Sequence, residues 1–78
     1  MYRELSIHEK ILMFLNSMGA IQANKAMSFN DLINAINEDT RIMEKALLEL
    51  MNEGYIKKEN GRFYITEKGI IRLMRSFS

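Results

Sequence analysis

The side chains that most often carry catalysis or bind metal ions are scarce in this chain. It has one histidine, His8, and no cysteine among its 78 residues. A nucleophile–base pair or a soft metal site therefore lacks the side chains from which it is usually built. The carboxylates are spread along the chain as helix caps and surface charges, with no pair suited to acid and base roles. We therefore expect neither an enzyme nor a protein that needs a metal or another cofactor.

The basic residues offer a different chemistry, because they are concentrated in the last third of the chain. Residues 1–53 hold five Lys/Arg against eight Asp/Glu, a net charge of −3, whereas residues 54–78 hold six against two, a net charge of +4. The total of +1 argues weakly against a nucleic-acid partner. The uneven distribution, however, suggests one basic surface that binds an anion.

Two helices are predicted in the first half of the chain. Ser6 and Glu9 have the spacing of a capping box, and apolar residues then recur at helical spacing over roughly residues 7–18. Ser28, with an acidic residue three positions later, indicates the start of a second, short helix. A connector over residues 20–27 joins the two.

A third helix is predicted from about residue 40 to 53, after a turn of a few residues at 37–39. Its inner face is predicted to be Met43, Ala46, Leu47, Leu50 and Met51. At about 100° per residue, the centre of its outward face, called here the outer strip, holds Arg41, Lys45, Leu48 and Asn52. Acidic residues fall toward the edges of that face or at the start of the helix, where capping explains them.

A β-hairpin is predicted over residues 55–66, because Asn60-Gly61 separates two β-prone runs and both turn positions need positive φ. The predicted register pairs Glu59 with Arg62, Lys58 with Phe63, Lys57 with Tyr64 and Ile56 with Ile65. Side chains alternate along a strand. The core face therefore holds Ile56, Phe63 and Ile65. The opposite face holds Lys57, Glu59, Arg62 and Tyr64, with Lys58 near the tip.

A final helix is predicted after Thr66, which is placed to cap it. Its apolar stripe is predicted to be Ile70, Leu73, Met74 and Phe77, with Lys68, Arg72 and Arg75 on the solvent side. Core filling is the role expected of the methionines on predicted inner faces, namely Met18, Met43, Met51 and Met74. The fold class is thus mainly α with a small β-hairpin, in the order helix-helix-helix-hairpin-helix. We expect one domain over residues 1–78.

Three stretches resemble the winged-helix domains of prokaryotic, especially archaeal, transcription regulators. They are SFNDL at 28–32, LLELMNEGYI at 47–56 and YITEKG at 64–69. The resemblance implies a winged helix-turn-helix in which the third helix is the recognition helix and the hairpin is the wing. It also implies sequence-specific binding of double-stranded DNA by a small transcription regulator, with the third helix in the major groove and the wing on the backbone. The DNA-binding residues expected are Thr40, Arg41, Lys45, Asn52, Lys57, Lys58, Arg62 and Tyr64.

The competing prediction is a non-catalytic winged helix that docks another protein within a transcription or replication assembly. Winged helices serve in both ways, because a fold does not determine a function. The near-neutral total charge, the acidic residues of the third helix and Leu48 on its outward face favour protein docking. No small-molecule substrate is evident.

Surplus apolar residues in the first and last helices indicate self-association. In the first helix they occupy a wider arc than a monomer core needs: Ile11, Leu12, Phe14, Leu15 and Met18. In the last helix, Ile71 lies beside the main stripe and Phe77 follows it. We therefore expect a two-fold homodimer through the first helix and the C-terminal helix.

The cellular location is predicted from what the chain lacks. Its longest apolar stretch, residues 11–15, is too short to span a bilayer, and the first residues do not follow a signal-peptide pattern. The absence of cysteine fits a reducing compartment. We expect a cytoplasmic protein with no membrane partner.

Overall fold

The computed structural model describes residues 4–76, which form four α-helices and a three-stranded antiparallel sheet. The helices are α1 (Ile7–Ser17), α2 (Phe29–Ile36), α3 (Thr40–Asn52) and α4 (Glu67–Ser76), with one turn of 3₁₀-helix at Ala23–Lys25. The strands are β1 (Met27–Ser28), β2 (Ile56–Glu59) and β3 (Arg62–Ile65), and the sheet order is β1-β3-β2. Within residues 4–76 no helix combines the length and the apolar character needed to cross a membrane. A mainly α fold with a small hairpin is thus confirmed.

The first two helices begin where their predicted caps lie. The Ser6 hydroxyl accepts from the backbone N–H of Glu9 at 3.2 Å, and the Glu9 carboxylate accepts from the backbone N–H of Ser6 at 3.0 Å. Ser28 and Asp31 repeat this arrangement at the start of α2, at 3.1 Å and 3.2 Å. Each pair satisfies backbone donors that a helix start leaves free, and an N-cap of this kind is worth about 1 kcal/mol.

The β2–β3 hairpin has the predicted register, from Ile56 opposite Ile65 to Glu59 opposite Arg62. Its turn is built as expected, with φ of 51° at Asn60 and 74° at Gly61. The prediction of the sheet was incomplete, however, because β1 adds a third strand along the free edge of β3. A strand of two residues is too short to show alternation, so nothing in the connector over residues 20–27 indicated it.

One hydrophobic core joins the four helices and the sheet within the described part of the chain. Its buried members are Ile11, Leu12, Leu15, Ala20, Leu32, Met43, Ala46, Leu47, Leu50, Ile56, Phe63, Ile65 and Leu73. The predicted inner face of α3 is therefore confirmed, with Met51 half-buried at its edge. The predicted core face of the hairpin is confirmed as well. These two faces set the orientation of α3 and of the hairpin, because each must turn its apolar side inward.

Two methionines that were predicted to fill the core lie at the surface instead. Met18 is 55% exposed and Met74 is 66% exposed. Met18 is the C-cap that follows the last residue of α1, so its side chain lies beyond the turn that packs on the core. In α4 the buried residues are Gly69 and Leu73, and Met74, one position further on, points away from them. Phe77, the last member of the predicted stripe, lies outside the described residues.

The start of α4 is held tightly against the segment that leads into β2. The backbone N–H of Thr66 donates to the carbonyl of Tyr55 at 2.9 Å. The Thr66 hydroxyl donates to the carbonyl of Gly54 at 2.7 Å and accepts from the N–H of Gly69 at 3.1 Å, so the predicted cap is confirmed. A Cβ atom at Gly69 would overlap the Tyr55 carbonyl oxygen. Position 69 therefore requires glycine for close approach, not for an unusual φ.

Candidate nucleic-acid interface

The structure places the outer strip of α3 in solvent. All four of its members are exposed, as is Thr40, the first residue of the helix. They are spaced three or four residues apart and so lie on consecutive turns of one helix face: Arg41, Lys45, Leu48 and Asn52. The strip thus presents two cations, one apolar side chain and one carboxamide to a partner.

Several carboxylates near α3 are engaged in the fold. Asp39 is the N-cap of the helix and accepts from the backbone N–H of Arg41 at 2.8 Å, while Glu38 accepts from the N–H of Asp39 at 3.0 Å. On the flank of the helix that meets α1, Glu49 Oε1 lies 2.8 Å from His8 Nε2. Acidic residues at the start of the third helix were expected to serve its capping, and Glu38 and Asp39 do so. Glu38, Asp39 and Glu49 all lie outside the outer strip.

The hairpin presents its cations on two faces. Lys58 shares a face with Phe63, and its Nζ lies 5.5 Å from the centre of that ring. The opposite face carries Lys57, Arg62 and Tyr64, as predicted. Arg62 Nη1 donates to the carbonyl of Ala26 at 3.0 Å and so ties β3 to the residue that precedes β1. Part of the Arg62 guanidinium is therefore used by the fold, while the side chain as a whole remains exposed.

Tyr64 is held by its own hairpin. It is half-buried, and its pKa is raised above the ordinary value of 10.0, first by desolvation and then by the charge of Glu59 and a hydrogen bond to it. Because this pKa lies above 10.0, Tyr64 is neutral near pH 7. Because Glu59 shares this face with Lys57 and Arg62, it lowers the positive charge there.

A groove of about 350 Å³ lies between α3 and the tip of the hairpin. It is lined by Phe29, Glu44, Leu47, Leu48, Met51, Lys58, Gly61 and Phe63. This groove brings Leu48 of the outer strip and Lys58 of the hairpin to one surface. Lys58 is the predicted DNA-binding residue that lines this groove. The other predicted hairpin residues, Lys57, Arg62 and Tyr64, lie on the opposite face of the sheet.

Sequence reasoning missed this groove because its walls come from separate elements. Phe29 belongs to α2, Met51 to α3 and Phe63 to β3. Helical and strand periodicity assigned Met51 and Phe63 to inward faces without showing where those faces leave a gap. The exposed Leu48 was the one signal in the sequence, since a large apolar residue is unusual at the centre of a solvated helix face.

Comparison with protein-family models, with curated proteins and with solved structures found no match. The surface is therefore interpreted from its own side chains. Within residues 4–76 no group of three or more His, Asp or Glu side chains is arranged to hold a metal ion. The outer strip and the groove combine hydrogen-bond donors, cations and apolar atoms in an exposed site. Such a set is suited to recognising a macromolecule by direct contact.

Proposed function

We propose that this chain is a winged-helix domain that binds double-stranded DNA as a small transcription regulator. Its elements follow the order α1-β1-α2-α3-β2-β3-α4, with three residues between α2 and α3 and the hairpin next after α3. That order suits a helix-turn-helix with a wing, in which α3 is the recognition helix and β2–β3 is the wing. The observation that carries the proposal is the exposed outer strip beside Lys58 across the groove.

Each polar side chain of the outer strip can form hydrogen bonds with DNA in the major groove. With α3 lying along the major groove, Arg41 and Lys45 in its first half can donate to guanine O6 and N7 or to phosphate. Asn52 can form two hydrogen bonds with the N6 and N7 positions of adenine. Thr40, at the helix start, and Lys58, on the wing, are placed for phosphate contacts that position the protein.

The wing face that carries Lys57, Arg62 and Tyr64 contributes less to this proposal. Arg62 already donates to Ala26, and Glu59 reduces the positive charge around Lys57 and Tyr64. We assign these side chains to contacts with the DNA backbone at the edge of the interface. Such contacts position the protein on the duplex and do not read the bases.

The proposal is tested by titrating a labelled mixed-sequence duplex and following fluorescence anisotropy over a salt series. Wild-type protein is expected to bind with micromolar or better affinity at about 50 mM salt. If Arg41, Lys45 and Lys58 each contact one phosphate, the log–log salt slope is about −2.7 per chain. A wild-type protein that fails to bind at about 50 mM salt, where electrostatic attraction is strong, contradicts the proposal.

Matched charge reversals locate the interface. Lys45→Glu and Lys58→Glu are each expected to weaken binding and to reduce the magnitude of the slope by about 1. Lys10→Glu makes the same change of charge on α1 and is expected to leave the slope unchanged. An equal effect of all three would indicate that net charge, and not this surface, governs binding.

Docking of another protein is the second candidate, and the groove itself favours it. Five of its lining side chains are apolar: Phe29, Leu47, Leu48, Met51 and Phe63. Glu44 borders the same groove and repels phosphate. Protein docking predicts that the wild-type chain shows no affinity for DNA in the titration above.

We further propose that two copies associate through α1 and α4. The groove between these helices is lined by Met13, Asn16, Ser17, Leu73 and Met74, none of which is charged. The sequence argument for surplus residues on α1 was wrong for Ile11, Leu12 and Leu15, which the core of the single chain buries. The exposed apolar residues here are instead Met13, at 41%, and Ile71 on α4. A second copy covers these apolar atoms, and a two-fold dimer places two recognition helices about 34 Å apart on a palindromic site. This groove shares no lining residue with the groove beside α3, so both surfaces can be occupied together.

A further inference from the structure

We infer that Leu48 and Asn52 make the recognition surface select A·T base pairs, through the methyl group of thymine and the N6 and N7 positions of adenine. The inference rests on the proposed DNA binding and names the base pair that this surface prefers. It is carried by the placement of Leu48 against the groove, the position of Glu44 and the spacing of Asn52.

Leu48 extends an apolar wall into solvent. It is 58% exposed, whereas its neighbour Leu47 is 2% exposed and belongs to the core. Phe29, Met51 and Phe63 line the groove that Leu48 borders, so its outer methyl groups continue an apolar surface. The major-groove edges of the four base pairs carry one apolar group, the C5-methyl of thymine. That methyl group is therefore the part of DNA that matches this position.

Glu44 determines which part of the DNA can approach Leu48. It precedes Leu48 by one helical turn, is exposed, and lines the same groove. Its carboxylate disfavours a phosphate at this point, while base edges carry only partial charges. Lys45 on the outer strip and Lys58 on the hairpin are the cations that can take the phosphates instead.

Asn52 adds a contact with adenine in the same or a neighbouring base pair. It follows Leu48 by four residues and is exposed on the outer strip. One turn of α-helix advances about 5.4 Å, and base pairs are spaced about 3.4 Å apart. Leu48 and Asn52 therefore reach the same base pair or neighbouring pairs. A carboxamide bonded to adenine beside a leucine on thymine specifies A·T over G·C.

The inference is tested with three labelled duplexes of equal length. One contains only A·T pairs, one has uracil in place of thymine and so lacks only the methyl groups, and one contains only G·C pairs. Wild-type protein is expected to bind the thymine duplex about fourfold more tightly than the uracil duplex, the effect of burying one methyl group. It is expected to prefer A·T over G·C by at least about fivefold.

Two variants assign these preferences to their side chains. Leu48→Ala is expected to bind thymine and uracil duplexes equally while keeping the wild-type salt slope. Leu48→Gln, which keeps the length of the side chain without its apolar end, is expected to behave in the same way. Asn52→Ala is expected to keep the thymine–uracil difference and to reduce the preference over G·C to about the fourfold that the thymine methyl contributes. Circular dichroism checks that each variant is folded, which is expected because both positions are exposed.

The outcomes separate this inference from the proposed function. If wild-type protein binds thymine and uracil duplexes equally with a normal salt slope, DNA binding stands and the inference is wrong. A preference for G·C, which Arg41 or Lys45 could produce by donating to guanine and Glu44 by accepting from cytosine N4, also overturns it. Failure to bind any of the three duplexes overturns both.

Discussion

Replacing Gly69 with alanine tests the close contact that holds α4 against the start of the hairpin. At an unobstructed position inside a helix, this change stabilises a protein by about 1 kcal/mol. Here the new Cβ would overlap the carbonyl oxygen of Tyr55 and lie 2.7 Å from Cγ1 of Ile65. The Tyr55 carbonyl is fixed, because it accepts from the N–H of Thr66 at 2.9 Å. The overlap with the Tyr55 carbonyl oxygen can be removed only by a shift of the backbone, since no side-chain rotation moves that atom.

The expected cost follows from these opposing effects. Overpacking costs about 1–3 kcal/mol, and the upper end applies when the obstacle is backbone. After the gain in helix propensity of about 1 kcal/mol, the free energy of unfolding falls by about 2 kcal/mol. A domain of this size has a total stability of about 4–12 kcal/mol, so the loss is large. It corresponds to a fall in Tm of about 8–16 °C.

Urea unfolding followed by circular dichroism measures this loss. Gly61→Ala is the comparison, because nothing lies within 4 Å of its added Cβ, yet its φ of +74° strains an L-residue. That strain costs about 1–2 kcal/mol, so Gly69→Ala is expected to be at least as destabilising as Gly61→Ala. A Gly69→Ala protein as stable as wild type, or more stable, would refute the proposed close packing.

Three further changes test other parts of the structure. Met74→Lys or Met13→Lys is expected to give a monomer by sedimentation equilibrium at concentrations where wild type is a dimer; a monomeric wild type at tens of micromolar rules the dimer out. Ser28→Ala removes the N-cap of α2 and is expected to lower the free energy of unfolding by about 1 kcal/mol in urea, and no change would contradict that role. Because the pKa of Tyr64 is raised in the folded state, its stabilising contribution is present below pH 10.0 and is lost as the pH rises through the folded pKa. Titration by tyrosinate absorbance is expected to show that Glu59→Gln moves this pKa part of the way back toward 10.0, with desolvation retaining the rest; an unchanged pKa would show that Glu59 has no influence.

The elements of this fold were predictable where their signals are local. Ser6 and Ser28 carry their capping partners three residues away, so the starts of α1 and α2 follow from spacing alone. Asn60 and Gly61 fix the hairpin turn and, through it, the register of both strands. The exposure of the outer strip follows from the helical period once the buried face of α3 is known.

Features that depend on how elements pack together were not predictable. β1 exists because Met27 and Ser28 meet the edge of β3, and two residues carry no pattern of their own. The groove beside α3 forms where α2, α3 and the β2–β3 hairpin meet, and no local period encodes their separation. Met18 and Met74 match the helical spacing of the apolar residues in α1 and α4. Both are exposed, because no other element of the single chain covers them.

The role of the outer strip is tested most directly by mapping where DNA contacts the protein. Backbone amide shifts of isotope-labelled protein are recorded as an unlabelled mixed-sequence duplex is added at about 50 mM salt. The largest changes are expected at Arg41, Lys45, Leu48 and Asn52 in α3 and at Lys58 and Gly61 in the hairpin. Changes confined to α1 and α4, or no changes at all, would contradict the assignment of this surface to DNA.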